Sequence, residues 1–83
     1  MTIWGKVMVT QEQFLKDFKE LLSREDDIQM EQDLLDIDEW DSFSAISFLN
    51  MIKEKYQIEA EPFTIAEAVL VEDLYNVVLK LSK

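Results

Sequence analysis

Residues 39–56 read EWDSFSAISFLNMIKEKY, and they set the class of the fold. An acid and a hydroxyl, Asp41 and Ser42, stand at the mouth of a segment free of glycine and proline, in which apolar residues recur at three- and four-residue intervals. That is the pattern of an amphipathic helix, and either Asp41 or Ser42 suits its N-cap, where a side-chain oxygen accepts hydrogen bonds from first-turn amides. At about 100° per residue, Ala45, Phe48, Leu49, Ile52 and Tyr56 fall within an arc of roughly 100°, the stripe a helix turns to its core. Phe43 and Ile46 fall on the opposite side, with Ser47, Asn50 and Glu54 around them. Two coverings are open for that pair: a partner protein docks on them beside Ser42, or the acidic segment before the helix folds over them as ordinary core.

Working outward, 83 residues with 48% apolar content suffice for one small domain with a single core, and are too few for a second domain or a deep enclosed pocket. One glycine (Gly5) and one proline (Pro62) deny the chain the turns that hairpins and sandwiches need, so an all-α class is expected. Thr10 and Gln13 are spaced as a capping box, and Phe14, Leu15, Phe18, Leu21 and Leu22 share a face, predicting a first helix over roughly 11–23. Pro62 suits the first turn of a short third helix running into FTIAEA. Val71, Leu74, Val78 and Leu81 predict a last helix over 71–81. Residues 1–9 read as a lead-in, with Ile3, Trp4, Val7 and Val9 available to pack, and residues 10–83 as the domain.

Residues 25–41 hold nine acids and no base, half of all the acidic residues. The segment is long for a bare loop, so Met30, Leu34, Leu35, Ile37 and Trp40 are expected to pin it to the core. It is not an EF-hand. Counted from Asp36, Trp40 stands where an oxygen ligand belongs, Asp41 where glycine is required, and Ser47 in place of the final Glu, so no metal site is expected. A net charge of −10 repels phosphate backbones and anionic headgroups, which argues against nucleic-acid and membrane roles and for partners with basic surfaces. The absence of cysteine removes disulfides and thiolate metal sites. The opening residues lack a basic start and a long apolar run, so a soluble, cytoplasmic chain is expected. Catalysis by Ser42 would need a base. There is no histidine, and Lys53 and Lys55 lie about 16 Å or more along the same helix, so the chain is not expected to be an enzyme.

The stretch DLLDIDEWDSFSAISFLNMIKEKYQIEAEPFTIAEAVLVEDLYNVVLKL, residues 33–81, resembles an acyl carrier protein, and the resemblance extends over about residues 10–81. It is carried by Asp41-Ser42 followed by apolar Phe43, at the start of a helix ending on Tyr56. The loop hydrophobics before it, the short helix after it and VEDLYNVV as the last helix add support. The resemblance implies a small monomeric four-helix bundle with a long loop between helices one and two and a short third helix. It implies that a phosphopantetheinyl transferase, using coenzyme A and Mg2+, attaches 4′-phosphopantetheine to Ser42, and that acyl groups ride on its thiol as thioesters. Asp41 is then the flanking cap and partner contact, and Phe43, Ile46, Ser47 and Glu54 meet acyl-loading and acyl-transfer enzymes. The sequence departs from carriers of fatty acid synthesis at Ser44 and Ser47, where those place acids, in its Glu39-Trp40-Asp41 approach, and at Leu70, where a capping Thr is usual. These departures suggest a specialised stand-alone carrier. Fatty acid, polyketide, peptide and sugar-modifying pathways stay open for its cargo. The alternative is an acidic helical interaction module without a prosthetic group.

The charge run generates one prediction. Like charges at this density destabilise the fold at low ionic strength, so added NaCl, Mg2+ or Ca2+ should raise the melting temperature, as read by circular dichroism. A melting temperature flat across both titrations would refute it.

Overall fold

A computed structural model describes residues 9–81, which form four helices: α1 (Gln11–Leu21), α2 (Ser42–Lys55), α3 (Pro62–Ala66) and α4 (Val71–Leu81). Among the described residues there is no strand, and α3 is the short element expected. Ile3, Trp4 and Val7 of the lead-in lie outside the described residues. Val9 is buried, and its carbonyl accepts a 2.6 Å hydrogen bond from the Tyr75 hydroxyl, tying the start of the domain to α4.

Thr10 caps α1, its hydroxyl oxygen accepting from the Gln13 N–H at 3.1 Å. The helix stops at Leu21, two residues earlier than the periodicity suggests. Ser23 takes a left-handed conformation (φ 52°), while the Ser23 and Arg24 amides donate back to the Glu20 and Lys19 carbonyls. That is a Schellman-type stop, for which glycine is the usual residue, and the chain has its only glycine elsewhere. After α2, Gln57 is also left-handed (φ 59°), and there the Tyr56 and Ile58 amides both donate to the Ile52 carbonyl.

The core is an aromatic knot. Phe14, Phe18 and Phe48 are fully buried, and each ring lies within about 6 Å of its neighbours: Phe14–Phe48 at 6.1 Å, Phe18–Phe48 at 5.9 Å, Phe18–Trp40 at 5.5 Å and Phe14–Tyr75 at 5.2 Å. Edge-to-face contacts of this kind add about 0.5–1.5 kcal/mol each beyond the area they bury. The knot joins α1, α2, α4 and the loop before α2 at one place. On α2 the buried arc comprises Ser44, Phe48, Met51 and Ile52, while Ala45, Leu49 and Tyr56 are only partly buried. The helix is therefore turned by about 70° from the expected stripe, towards Met51 and Ser44.

The acidic segment is fastened to the α3–α4 connection by its backbone. Asp33 pairs with Leu70, the Leu34 amide donates to Val69 (2.8 Å), and the Val71 and Glu72 amides donate to Gln32 and Met30 (both 2.9 Å). Ile28, Leu34 and Ile37 are buried, and Met30 and Trp40 pack partly against the core. Leu35 breaks the expectation. In the 3-10 turn Leu34–Asp36 it points away from the core that Leu34 enters, and it is 89% exposed. Helix α4 lacks a capping residue before it, but Asp73 reaches back from its first turn to accept from the Val69 and Leu70 amides (2.9 and 3.0 Å). Those amides, Leu70's first, hold its carboxyl below the usual range.

A buried acid closes the other end of α2. Asp17, only 4% exposed, accepts from the Tyr56 hydroxyl (2.6 Å), from Gln13 (3.0 Å) and from Lys55 (3.2 Å), so α1 is clasped to the C-terminus of α2. Burial pushes its carboxyl up, but the three donors outweigh it and hold the group below its ordinary value; burial first, and then the contact with Asp17, push the Tyr56 phenol far upward. A depressed folded-state value means that the clasp stabilises the fold above the ordinary carboxylate range and loses that contribution as pH falls through the folded value. Tyr56→Phe should cost about 1–3 kcal/mol in urea unfolding at neutral pH, because it leaves a buried carboxylate short of a donor. In Asp17→Asn the loss of stability on acidification should become shallower; an unchanged acid limb would mean that Asp17 does not carry it.

Candidate functional site

The start of α2 is built by a reciprocal pair. Asp41 Oδ1 accepts from the Ser44 N–H at 2.9 Å, and Ser44 Oγ accepts from the Asp41 N–H at 2.7 Å, a complete capping box. Asp41, not Ser42, is thus the N-cap. The Ser44 amide first, and then its hydroxyl, hold the Asp41 carboxyl below its usual value. Ser42 takes no part in the box: it is the first residue of the helix and is exposed. The positive end of the helix is already occupied by the Asp41 carboxylate, so the helix mouth is a finished cap. What it leaves free is a hydroxyl.

That hydroxyl stands at the lip of a cleft of about 350 Å³ between α2 and α3. Asp41 and Ser42 form one end beside Trp40, Ala45 and Ile46 form the α2 wall, and Pro62, Ile65 and Ala66 form the α3 wall. Apart from Asp41 and Ser42, the lining side chains are apolar or aromatic, which suits a chain of methylenes better than a polar ligand. Among the described residues lining the cleft, the one ionisable group is the Asp41 carboxylate, which is engaged in the cap; the rest of the lining is hydrocarbon, aromatic or Ser42 itself.

The acidic loop does not cover the far face of α2. Phe43 is 80% exposed and Ile46 50% exposed, leaving the pair on the surface next to Ser42. Ser47 is half-buried and shares with Phe43, Leu21 and Leu22 a shallow depression of about 210 Å³ at the end of α1. Glu54 is not part of this constellation. It is exposed near the C-terminal end of α2, about 18 Å from Ser42 by helical rise. The α3 wall and the cap role of Ser44 were missed from sequence; the Asp41-x-x-Ser44 spacing was the signal for the latter. Among the described residues no group of three or more potential ligands is assembled for a metal ion, and no helix is long and apolar enough to cross a membrane.

The two faces of α2 should respond differently to substitution. Phe48→Ala should cost about 3–5 kcal/mol in denaturant unfolding, the range for removing a buried aromatic. Phe43→Ser should stay within about 0.5 kcal/mol of the parent, as exposed substitutions do; equal costs would make Phe43 a core residue. The functional reading rests on these residues alone, since comparison with protein-family models, curated proteins and solved structures gave no match.

Proposed function

We propose that this chain is an acyl carrier protein, loaded at Ser42 and without catalytic activity of its own. The observation that carries the reading is the exposed Ser42 hydroxyl, released from capping by the Asp41–Ser44 box, at the lip of an apolar cleft. The order of four helices with a long pinned loop and a short third helix, in an acidic chain, supports the carrier-type arrangement.

The residues fit a phosphopantetheine arm. Ser42 would hold it as a phosphodiester, reaching solvent with no rearrangement of the cap, and Ala45, Ile46, Ile65 and Ala66 would border the apolar portion. Bound there, the group supplies the thiol that a cysteine-free chain lacks. In the loading step Ser42 Oγ forms a new bond to the β-phosphorus of coenzyme A, the pyrophosphate bond breaks, and adenosine 3′,5′-bisphosphate departs. The hydroxyl proton goes to a base of the transferase, which with Mg2+ supplies the activation missing here. Phe43 and Ile46 flank the nucleophile and would seat partner enzymes, with Asp41 at the edge of that contact. Glu54 lies too far along α2 to share a footprint confined to the helix mouth.

Incubation with coenzyme A, Mg2+ and a broad-specificity transferase should add one phosphopantetheine to the intact mass, and none to Ser42→Ala. An unmodified parent chain, or addition at another side chain, would overturn the carrier reading and leave the acidic interaction module.

A further inference from the structure

Trp40 belongs to two neighbourhoods at once. Its indole is an edge-to-face partner of Phe18 (centroids 5.5 Å, planes at 60°) and of Phe48 (6.0 Å, 79°), and it also lines the cleft beside Ser42. It is only partly buried, whereas Phe18 and Phe48 are fully buried. One ring therefore stands between the cleft and the aromatic knot. Its position along α2 follows from the same contacts. Trp40 precedes Ser42 by two residues, while Phe48 lies about 9 Å beyond Ser42 by helical rise, so an indole in contact with Phe48 lies against the first turns of the helix. That is the path open to a chain leaving Ser42 along the α2 wall.

The rest of the lining yields room that the indole does not. Ala45, Ala66 and Ala68 present one methyl group each, and Trp40 is the one aromatic among the described residues that line the cleft. An apolar cavity of about 150 Å³ holds one benzene, six carbons, so a cleft of about 350 Å³ has a ceiling of roughly fourteen carbons. Hydrocarbon in excess of that has two ways to go: out to water, or inward past the indole to Phe18 and Phe48. A close-packed interior has no space to offer it, and displacing the indole would forfeit both of its ring contacts.

We propose that Trp40 is a specificity-determining residue for the cargo: it is the floor of the cleft, it keeps a tethered acyl chain out of the aromatic knot, and it thereby limits the length of hydrocarbon that the fold shelters. The inference deepens the carrier reading and takes from it only that an acyl chain is tethered at Ser42.

The test bypasses the transferase. Because the chain has no cysteine, Ser42→Cys supplies a single thiol, and alkyl methanethiosulfonates of two to sixteen carbons attach hydrocarbon of graded length there as mixed disulfides. Trp4→Phe in the same chain leaves Trp40 as its only indole. As the alkyl group lengthens, the melting temperature should rise and the Trp40 emission should move to shorter wavelength, because hydrocarbon replaces water on the ring. Both should level off at the same length, at or below roughly fourteen carbons. In Trp40→Leu the rise in melting temperature should continue for roughly two to four carbons more, since part of the vacated volume collapses and part stays open. Emission that moves at no length would overturn the proposal, and that measurement decides even where the Trp40→Leu chain fails to fold. An unchanged levelling length in a folded Trp40→Leu chain would overturn it too, as would a rise that never levels through sixteen carbons. A chain that no transferase loads, but whose levelling length moves with Trp40, keeps the floor and loses the carrier reading. A chain loaded at Ser42 whose levelling length ignores Trp40 keeps the carrier reading and loses the floor.

Discussion

The mutual hydrogen bonds between Asp41 and Ser44 determine where α2 begins, and with it nearly everything that follows. To accept from the Asp41 amide, the Ser44 side chain must turn back over the first turn, which buries it; with Ser44 buried, Phe48 and Met51 rotate inward and Phe43 and Ile46 rotate outward. The same box relieves Ser42 of capping. A helix begun one residue later, with Ser42 as cap, would engage that hydroxyl and shift every downstream side chain by about 100°. The cap is thus a positioning device for the exposed serine as much as a source of helix stability.

A cap fixes only one end, and the helix keeps its orientation because the other end is clasped. Tyr56 and Lys55 meet Asp17 of α1 near the last turn, while Phe48 locks into Phe14, Phe18 and Trp40 midway. With both ends of α2 and its centre held, α3 is the wall with least to anchor it. It has one turn and a half, one buried residue in Ile65, and no side-chain hydrogen bond at its N-cap. The cleft thus lies between a firmly held wall and a lightly held one, and no residue of α3 takes part in the aromatic knot.

The helices were readable from periodicity and punctuation because local rules agree there with the fold. Val71 and Leu81 bound the last helix as the spacing indicates, and Pro62 opens the short one. Ser23 escaped the reading because a left-handed stop is normally marked by glycine, and this chain makes the turn without one. Leu35 escaped it because a loop has no periodicity: a single 3-10 turn sends Leu34 inward and its neighbour out, and composition cannot tell them apart. The α3 wall of the site escaped for a third reason, since Ile65, Ala66 and Ala68 become cleft residues only through tertiary packing. The serine was legible as a candidate while its freedom from capping was not, because sequence left the choice of N-cap between Asp41 and Ser42 undecided.

Charge and hydrocarbon are arranged here to oppose each other in a useful way. The acids of the loop and of the α3–α4 region share one sign, which opposes the close approach of a second copy to the exposed apolar residues. Because α2 carries no acid in its first turn, the helix mouth presents one carboxylate, Asp41, engaged in the cap, beside the Ser42 hydroxyl and hydrocarbon, and the remaining negative charge lies in the elements around it. Attraction and fit are consequently divided between separate parts of the chain. Surface charges at such spacing govern encounter and are weakened by salt, whereas the apolar contacts made on arrival are not. Charge therefore lies on the rim and hydrocarbon in the cleft, beside the Ser42 hydroxyl that the cap leaves free.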